Sequence, residues 1–134
     1  MQRSSLSSKA ILVVEDDDLQ RQALQQLLEL EGFDVWSVGD VPSAQRELQS
    51  RPVQAVITDV HLPGDGIALL HWIRGHHGAD FPVILITGDP LPRVRAEAAS
   101  GQATALLTKP LEFDELLLRL NAALLPGDSG GGKA

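Results

Sequence analysis

Short apolar runs and longer segments of helical period alternate five times along this chain, and that alternation constrains its fold more than any other feature. Ile11-Leu-Val-Val14 is a short, β-rich run; from Asp17 to Glu31, Ala23, Leu24, Leu27 and Leu28 then fall on one helix face. Gly32 stops that helix, Phe33 to Val38 alternates as a strand does, and Asp40 with Pro42 has the cap-plus-proline form of a helix start running to about Ser50. Val53 to Thr58 reads as the third strand, and Ile67 to about Gly75 as the third helix with Leu69, Leu70 and Ile73 as its stripe. Phe81 to Ile86 is the fourth strand, Pro90 and Pro92 open a helix reaching about Ser100, Ala105 to Leu107 is the fifth strand, and Glu112 to Leu125 the last helix. Strands apolar on both faces, each followed by a helix, predict an α/β fold: a doubly wound five-stranded parallel sheet covered by five helices.

At 134 residues the chain has room for one such domain, expected over residues 9–125 between a polar arm, residues 1–8, and a Gly-rich tail, residues 126–134. The arm has no apolar signal segment, and the longest unbroken apolar run, Ala10 to Val14, is far below the ~20 residues of a membrane span. Eighteen acids against eleven Lys plus Arg give a net charge of -7, which repels nucleic acid and anionic membrane, so no direct binding to either is expected. With no cysteine, thiolate metal sites, Cys nucleophiles and disulfides are all excluded, and a cytoplasmic setting is expected.

In doubly wound sheets chemistry gathers beyond the carboxyl ends of the strands. Here those ends carry Glu15-Asp16-Asp17-Asp18, Thr58-Asp59, Thr87-Gly88 and Thr108-Lys109-Pro110. Carboxylates from neighbouring strands cannot share a pocket ionised without a cation, and an all-oxygen, Cys-free set suits a hard ion such as magnesium. A divalent cation beside a carboxylate, a hydroxyl and an ammonium is what phosphoryl transfer requires, with the carboxylate able to form an acyl phosphate.

Glu15-Asp16, Asp59, Thr87 and Lys109-Pro110, in that order and at those strand ends, resemble the receiver domain of two-component response regulators over essentially the whole ordered chain. The resemblance implies a flavodoxin-like strand order 2-1-3-4-5. It makes Asp59 the phosphoacceptor, Asp16 a direct Mg2+ ligand, Glu15 a ligand directly or through water, and the His61 backbone carbonyl a further one. It makes Thr87 the switch hydroxyl and Lys109 the ion-pair partner of the phosphoryl group, with a cis peptide before Pro110. The partner it implies is a sensor histidine kinase or histidine phosphotransfer protein, and the domain would be no enzyme beyond assisting its own phosphorylation and dephosphorylation. Two positions depart from the family pattern. Leu106 replaces the usual Tyr or Phe three residues before the lysine, and the segment Asp59-Val-His-Leu-Pro63-Gly-Asp-Gly66 is one residue short.

Two other functions compete. A haloacid-dehalogenase-type phosphatase would use the acid-x-acid after the first strand, but it wants Thr or Val where Gln20 stands, and a cap insertion for which this length leaves little room. A receiver-like binding module that takes no phosphate would fit Leu106 and the short loop, but not the retained acids, Thr87 and Lys109. Other singular residues read as ordinary: Asp17 or Asp18 caps the first helix, the His61 side chain faces solvent, and His71, His76 and His77 lie at the surface near the end of the third helix. With no output segment apparent after Leu125, the chain reads as a stand-alone receiver, an excised one or that of a hybrid kinase.

Overall fold

A computed structural model of the chain describes residues 8–125, so the expected arm, Ser8 apart, and the Gly-rich tail lie outside the described residues. The elements follow one another as β1 (Ala10–Val14), α1 (Asp18–Leu30), β2 (Asp34–Val38), α2 (Val41–Ser50), β3 (Ala55–Asp59), α3 (Gly66–His77), β4 (Val83–Thr87), α4 (Pro92–Ser100), β5 (Ala105–Thr108) and α5 (Phe113–Leu124). All pairings are parallel and the strand order is β2-β1-β3-β4-β5, as expected.

The period-2 geometry of a strand sends successive side chains to opposite faces, and the core divides accordingly. Ile11, Val13, Ala55, Ile57, Ile84 and Ile86 pack under α1 and α5 through Leu24, Leu28, Leu116 and Leu120. Leu12, Val14, Val56, Val83 and Leu85 pack on the other side against Val41, Ala44 and Leu48 of α2, Leu69, Leu70 and Ile73 of α3, and Val94 and Ala98 of α4. The three central strands are buried at every position, whereas β2 is half-buried throughout and β5 ends exposed at Thr108. Being apolar on both faces is therefore a property of β1, β3 and β4, and the two edge strands carry a weaker version of it.

Element boundaries differ from the sequence reading in places with physical causes. The fourth strand begins at Val83 and not at Phe81, because Pro82 has no N–H to give the ladder, although its carbonyl accepts from Val56 N at 3.0 Å. The third begins at Ala55, since Gln54 instead brackets Ala10, donating to its carbonyl at 2.8 Å and accepting from its N–H through Oε1 at 2.6 Å. The third helix runs through Gly75 to His77 and stops at Gly78, whose φ of 92° is open to glycine at little cost. Arg74 secures that end: its guanidinium donates to the carbonyls of Gly78 (2.9 Å), Phe81 (2.7 Å), Gly101 (3.3 Å) and Gln102 (2.7 Å), tying α3 to the approach of β4 and the α4–β5 turn.

β1 lies between β2 and β3, and the chain leaves it toward β2 on one side and returns to β3 on the other. Crossovers from these strands diverge there, opening a crevice at the carboxyl ends of β1 and β3.

Candidate functional site

β1 delivers Glu15 to that crevice. The backbone continues the ladder for one residue, Glu15 N donating to Val38 O at 3.0 Å, and Arg21 holds the strand end by donating to the Glu15 carbonyl at 2.8 Å and to Asp18 Oδ1 at 2.6 Å. The chain then turns into α1 with Asp17 as N-cap, its Oδ1 accepting from Gln20 N at 2.9 Å, while Asp17 N donates to Glu15 Oε2 at 3.0 Å. The acid run is thus divided between two tasks. Asp17 caps the helix, and Glu15 and Asp16 face the crevice.

Asp59 is the last residue of β3 and only 6% exposed. Oδ1 accepts from the backbone N–H of His61 at 3.1 Å and Oδ2 from Lys109 Nζ at 2.8 Å. The loop that follows is closed by Gly66 N donating to Val60 O at 2.9 Å. A Cβ at residue 66 would stand 2.1 Å from the Asp59 carbonyl oxygen, so only glycine permits this approach. Asp65 before it takes a positive φ of 72°, with its side chain accepting from Ile67 N at 2.9 Å. The segment from Asp59 to Gly66 therefore brings a glycine against the Asp59 carbonyl oxygen.

Lys109 follows β5, with its N–H bonded to Thr87 O at 2.8 Å and a cis peptide to Pro110. Its ammonium meets Asp59 Oδ2 at 2.8 Å, Gln20 Oε1 at 2.9 Å and Glu15 Oε1 at 3.2 Å. Burial alone would lower its pKa, but the hydrogen bonds and charges of Asp59 and Glu15 outweigh that and raise it. Burial raises the pKa of Glu15, the Asp17 N–H and Lys109 oppose the rise, and the charge of Asp59 adds to it. Among the described residues no buried side-chain polar atom lacks a hydrogen-bond partner.

One carboxylate oxygen each from Glu15, Asp16 and Asp59 lies within 4.8 Å of the others, with Asp16 open to solvent. Three hard oxygen donors, two buried and one wet, fit a magnesium-like ion that keeps part of its water shell. Thr87 is fully buried at the end of β4, and its Oγ1 accepts from Asp89 N at 3.0 Å; no hydrogen bond links it to Asp59. The His61 side chain is exposed, and the atom it turns to Asp59 is its amide nitrogen.

This geometry has a known setting. The sequence profile of the response regulator receiver domain matches residues 11–121, most of the chain. The chain belongs to the response regulator receiver domains. Protein PetR of Rhodobacter capsulatus is 36% identical over 121 residues, covering 90% of this chain and 50% of its own length. The C4-dicarboxylate transport transcriptional regulatory protein DctD of Pseudomonas aeruginosa is 36% identical over 119 residues, 85% of this chain and 25% of its own. The chain thus spans between a quarter and a half of the length of these curated relatives. Among solved structures, the receiver domain of an HD domain-containing protein from Pseudomonas fluorescens Pf-5 superposes with a TM-score of 0.82 at 37% identity, covering 87% of this chain and 94% of that one. That of a signal transduction histidine kinase from Syntrophus aciditrophicus gives 0.80 at 31%, covering 87% and 90%.

For this receiver domain, the predicted residues Glu15, Asp16, Asp59 and Lys109 converge, while Thr87 lies nearby with its hydroxyl turned to its own turn. Sequence reasoning missed Gln20 as a partner of Lys109. Its one local signal is its place in the first turn of α1 directly after the acid run, which puts it above the strand ends. No helix among the described residues is long and apolar enough to cross a membrane.

Proposed function

We propose that the receiver unit, residues 9–125, accepts a phosphoryl group on Asp59 from the phosphohistidine of a sensor histidine kinase or a histidine phosphotransfer protein. The observation that carries this reading is the buried Asp59 carboxylate held between the His61 N–H and the Lys109 ammonium, in reach of Glu15 and Asp16. One Asp59 oxygen attacks phosphorus along the axis opposite the imidazole; the O–P bond forms as the N–P bond breaks, and the imidazole leaves with its electron pair and takes a proton from solvent. Asp16, Glu15, Asp59 and the His61 carbonyl would hold a magnesium ion, which would supply positive charge against the phosphoryl oxygens. Lys109 stays within reach of those oxygens by exchanging its bond to Asp59 Oδ2 for one to the phosphoryl group. Thr87 gives up its Asp89 contact and donates its hydroxyl to the same group, which draws the β4–α4 loop inward and changes what the surface offers an output partner.

The domain assists only its own phosphorylation and dephosphorylation and acts in the cytoplasm, reached by no direct contact with nucleic acid. Incubation with a small phosphodonor and magnesium should add one base-labile phosphate by mass spectrometry, absent in Asp59→Asn. Equal modification of that variant overturns the assignment.

A further inference from the structure

The ammonium of Lys109 has three N–H bonds and three acceptors, and these are of two kinds. Glu15 and Asp59 belong to the acidic cluster suited to a cation. Gln20 Oε1, at 2.9 Å, is a neutral amide oxygen outside it. A cation in the cluster and a phosphoryl group on Asp59 would both compete with Lys109 for the carboxylates, whereas an amide oxygen outside the cluster would be left free to keep its bond. The backbone of Gln20 is fixed at the helix start, its main-chain N–H donating to Asp17 Oδ1 at 2.9 Å and Asp17 N to Glu15 Oε2 at 3.0 Å, so its side chain leaves the helix from a set position beside Lys109. Glu15, Asp17, Gln20 and Lys109 therefore close a ring of hydrogen bonds that joins the end of β1, the first turn of α1 and the end of β5.

The ammonium also has somewhere else to go. Gln20 and Lys109 line a cavity of about 630 Å³ whose other walls include Ala23, Leu24, Leu27 and Phe113. Its walls are largely apolar and it opens to solvent, so a four-carbon stem with 27% of its side chain exposed can lie along them with its charge in water, away from Asp59. Gln20 is the group that opposes the swing once the carboxylates are engaged elsewhere.

We propose that Gln20 is a positioning residue for phosphoryl transfer, holding the Lys109 ammonium at the phosphoryl site through its amide oxygen. The proposal rests on the assignment of Asp59 and Lys109 above. It is tested by the rate at which the protein is phosphorylated by phosphoramidate in saturating magnesium, followed by mass spectrometry. Gln20→Met keeps the length and loses the carbonyl acceptor, and the rate should fall about three- to tenfold, the value of one partly screened hydrogen bond to a charge. Gln20→Glu keeps an oxygen at that place and should hold the rate within about twofold of wild type. In a Lys109→Ala background, Gln20→Met should change nothing further, because its whole effect passes through the ammonium.

A wild-type or faster rate in Gln20→Met overturns the proposal, as does an equal fold-loss with and without Lys109. Gln20→Ala, read alongside a thermal melt, repeats the test where Gln20→Met proves unstable. If Lys109→Ala alone leaves the rate unchanged, or Asp59→Asn still accepts phosphate, it is the assignment of Lys109 or of Asp59 that fails, and this is visible before Gln20 is changed.

Discussion

Lys109 Nζ lies 2.8 Å from Asp59 Oδ2 and 3.2 Å from Glu15 Oε1, so one ammonium from the end of β5 stands between the two buried carboxylates that end β3 and follow β1. Lys109→Ala leaves those carboxylates facing each other. Removing one partner of a mostly buried pair costs ~3–5 kcal/mol, and with the lysine side chain 27% exposed a loss of about 1–3 kcal/mol is expected in metal-free protein. Magnesium should restore more stability to this variant than to wild type, and thermal melts with chelator and with magnesium measure both. Equal magnesium shifts in the two proteins would contradict the pairing.

Magnesium should stabilise the wild type by mass action, about 1.4 kcal/mol at tenfold excess over Kd, a rise in Tm of several degrees for a domain of this size. Asp16 is exposed, so Asp16→Ala removes a ligand without opening the core. The variant should melt no earlier than wild type without metal and show little response to magnesium. A full response in Asp16→Ala places the ion elsewhere.

The raised pKa of Glu15, due first to burial and then to Asp59, predicts a pH dependence with a definite sign. A carboxyl whose folded pKa exceeds its unfolded value near 4.5 binds its proton more tightly when folded. Its contribution is full below the unfolded value, declines as pH rises through the interval to the folded value, and is level above it. Glu15→Gln removes this decline. In metal-free urea titrations the stability of the variant relative to wild type should therefore be greater at neutral pH than at about pH 4. A difference that is flat with pH, or that falls as pH rises, refutes the shift.

Gly66 meets the Asp59 carbonyl oxygen at a distance no Cβ can share, 2.1 Å for an added methyl. Gly66→Ala must push the β3–α3 loop away from Asp59, at a cost of about 1–3 kcal/mol by the scale of other overpacking changes. Phosphorylation should slow along with it, since the His61 N–H that orients Asp59 lies in the displaced segment. Denaturant unfolding and phosphoramidate labelling check the two effects, and unchanged labelling would separate the loop from the chemistry.

Leu106 is half-buried on β5 and borders a groove of about 250 Å³ formed with Arg95, Ala98, Ala99, Ala103 and Ala105. A leucine gains little differential contact by rotating there, whereas a tyrosine ring has both a body to bury and a hydroxyl to place. Leu106→Tyr should fold with less than ~1.5 kcal/mol of lost stability and enlarge the chemical-shift response of residues 90–120 to beryllofluoride. Thr87→Ala should leave labelling of Asp59 intact and diminish that response. A large rearrangement already present in the wild type contradicts the role given to Leu106.

Much of this molecule is written in local pattern. The helix stripes through Leu24, Leu28, Leu69, Leu70 and Ile73 followed from spacing alone, and once residues 11–14 form a strand its period of two sends Ile11 and Val13 to one face and Leu12 and Val14 to the other. Glu15, Asp16, Asp59, Thr87 and Lys109 were legible because each terminates or follows a strand, and a parallel sheet aligns all those ends on one edge. What joins them was not legible. Lys109 reaches Glu15, Gln20 and Asp59 across 94, 89 and 50 residues, and which acceptors surround an ammonium depends on register, strand order and the tilt of α1, none of which has a local period. Gln20 in sequence is a polar residue in a helix's first turn; only packing turned it toward Lys109. The same holds for the hydroxyl of Thr87, which the fold engages with Asp89, and for Arg74, whose four carbonyl partners come from three separate segments. Periodicity decides which face a side chain takes, whereas contact between distant segments is decided by the closing of the whole core.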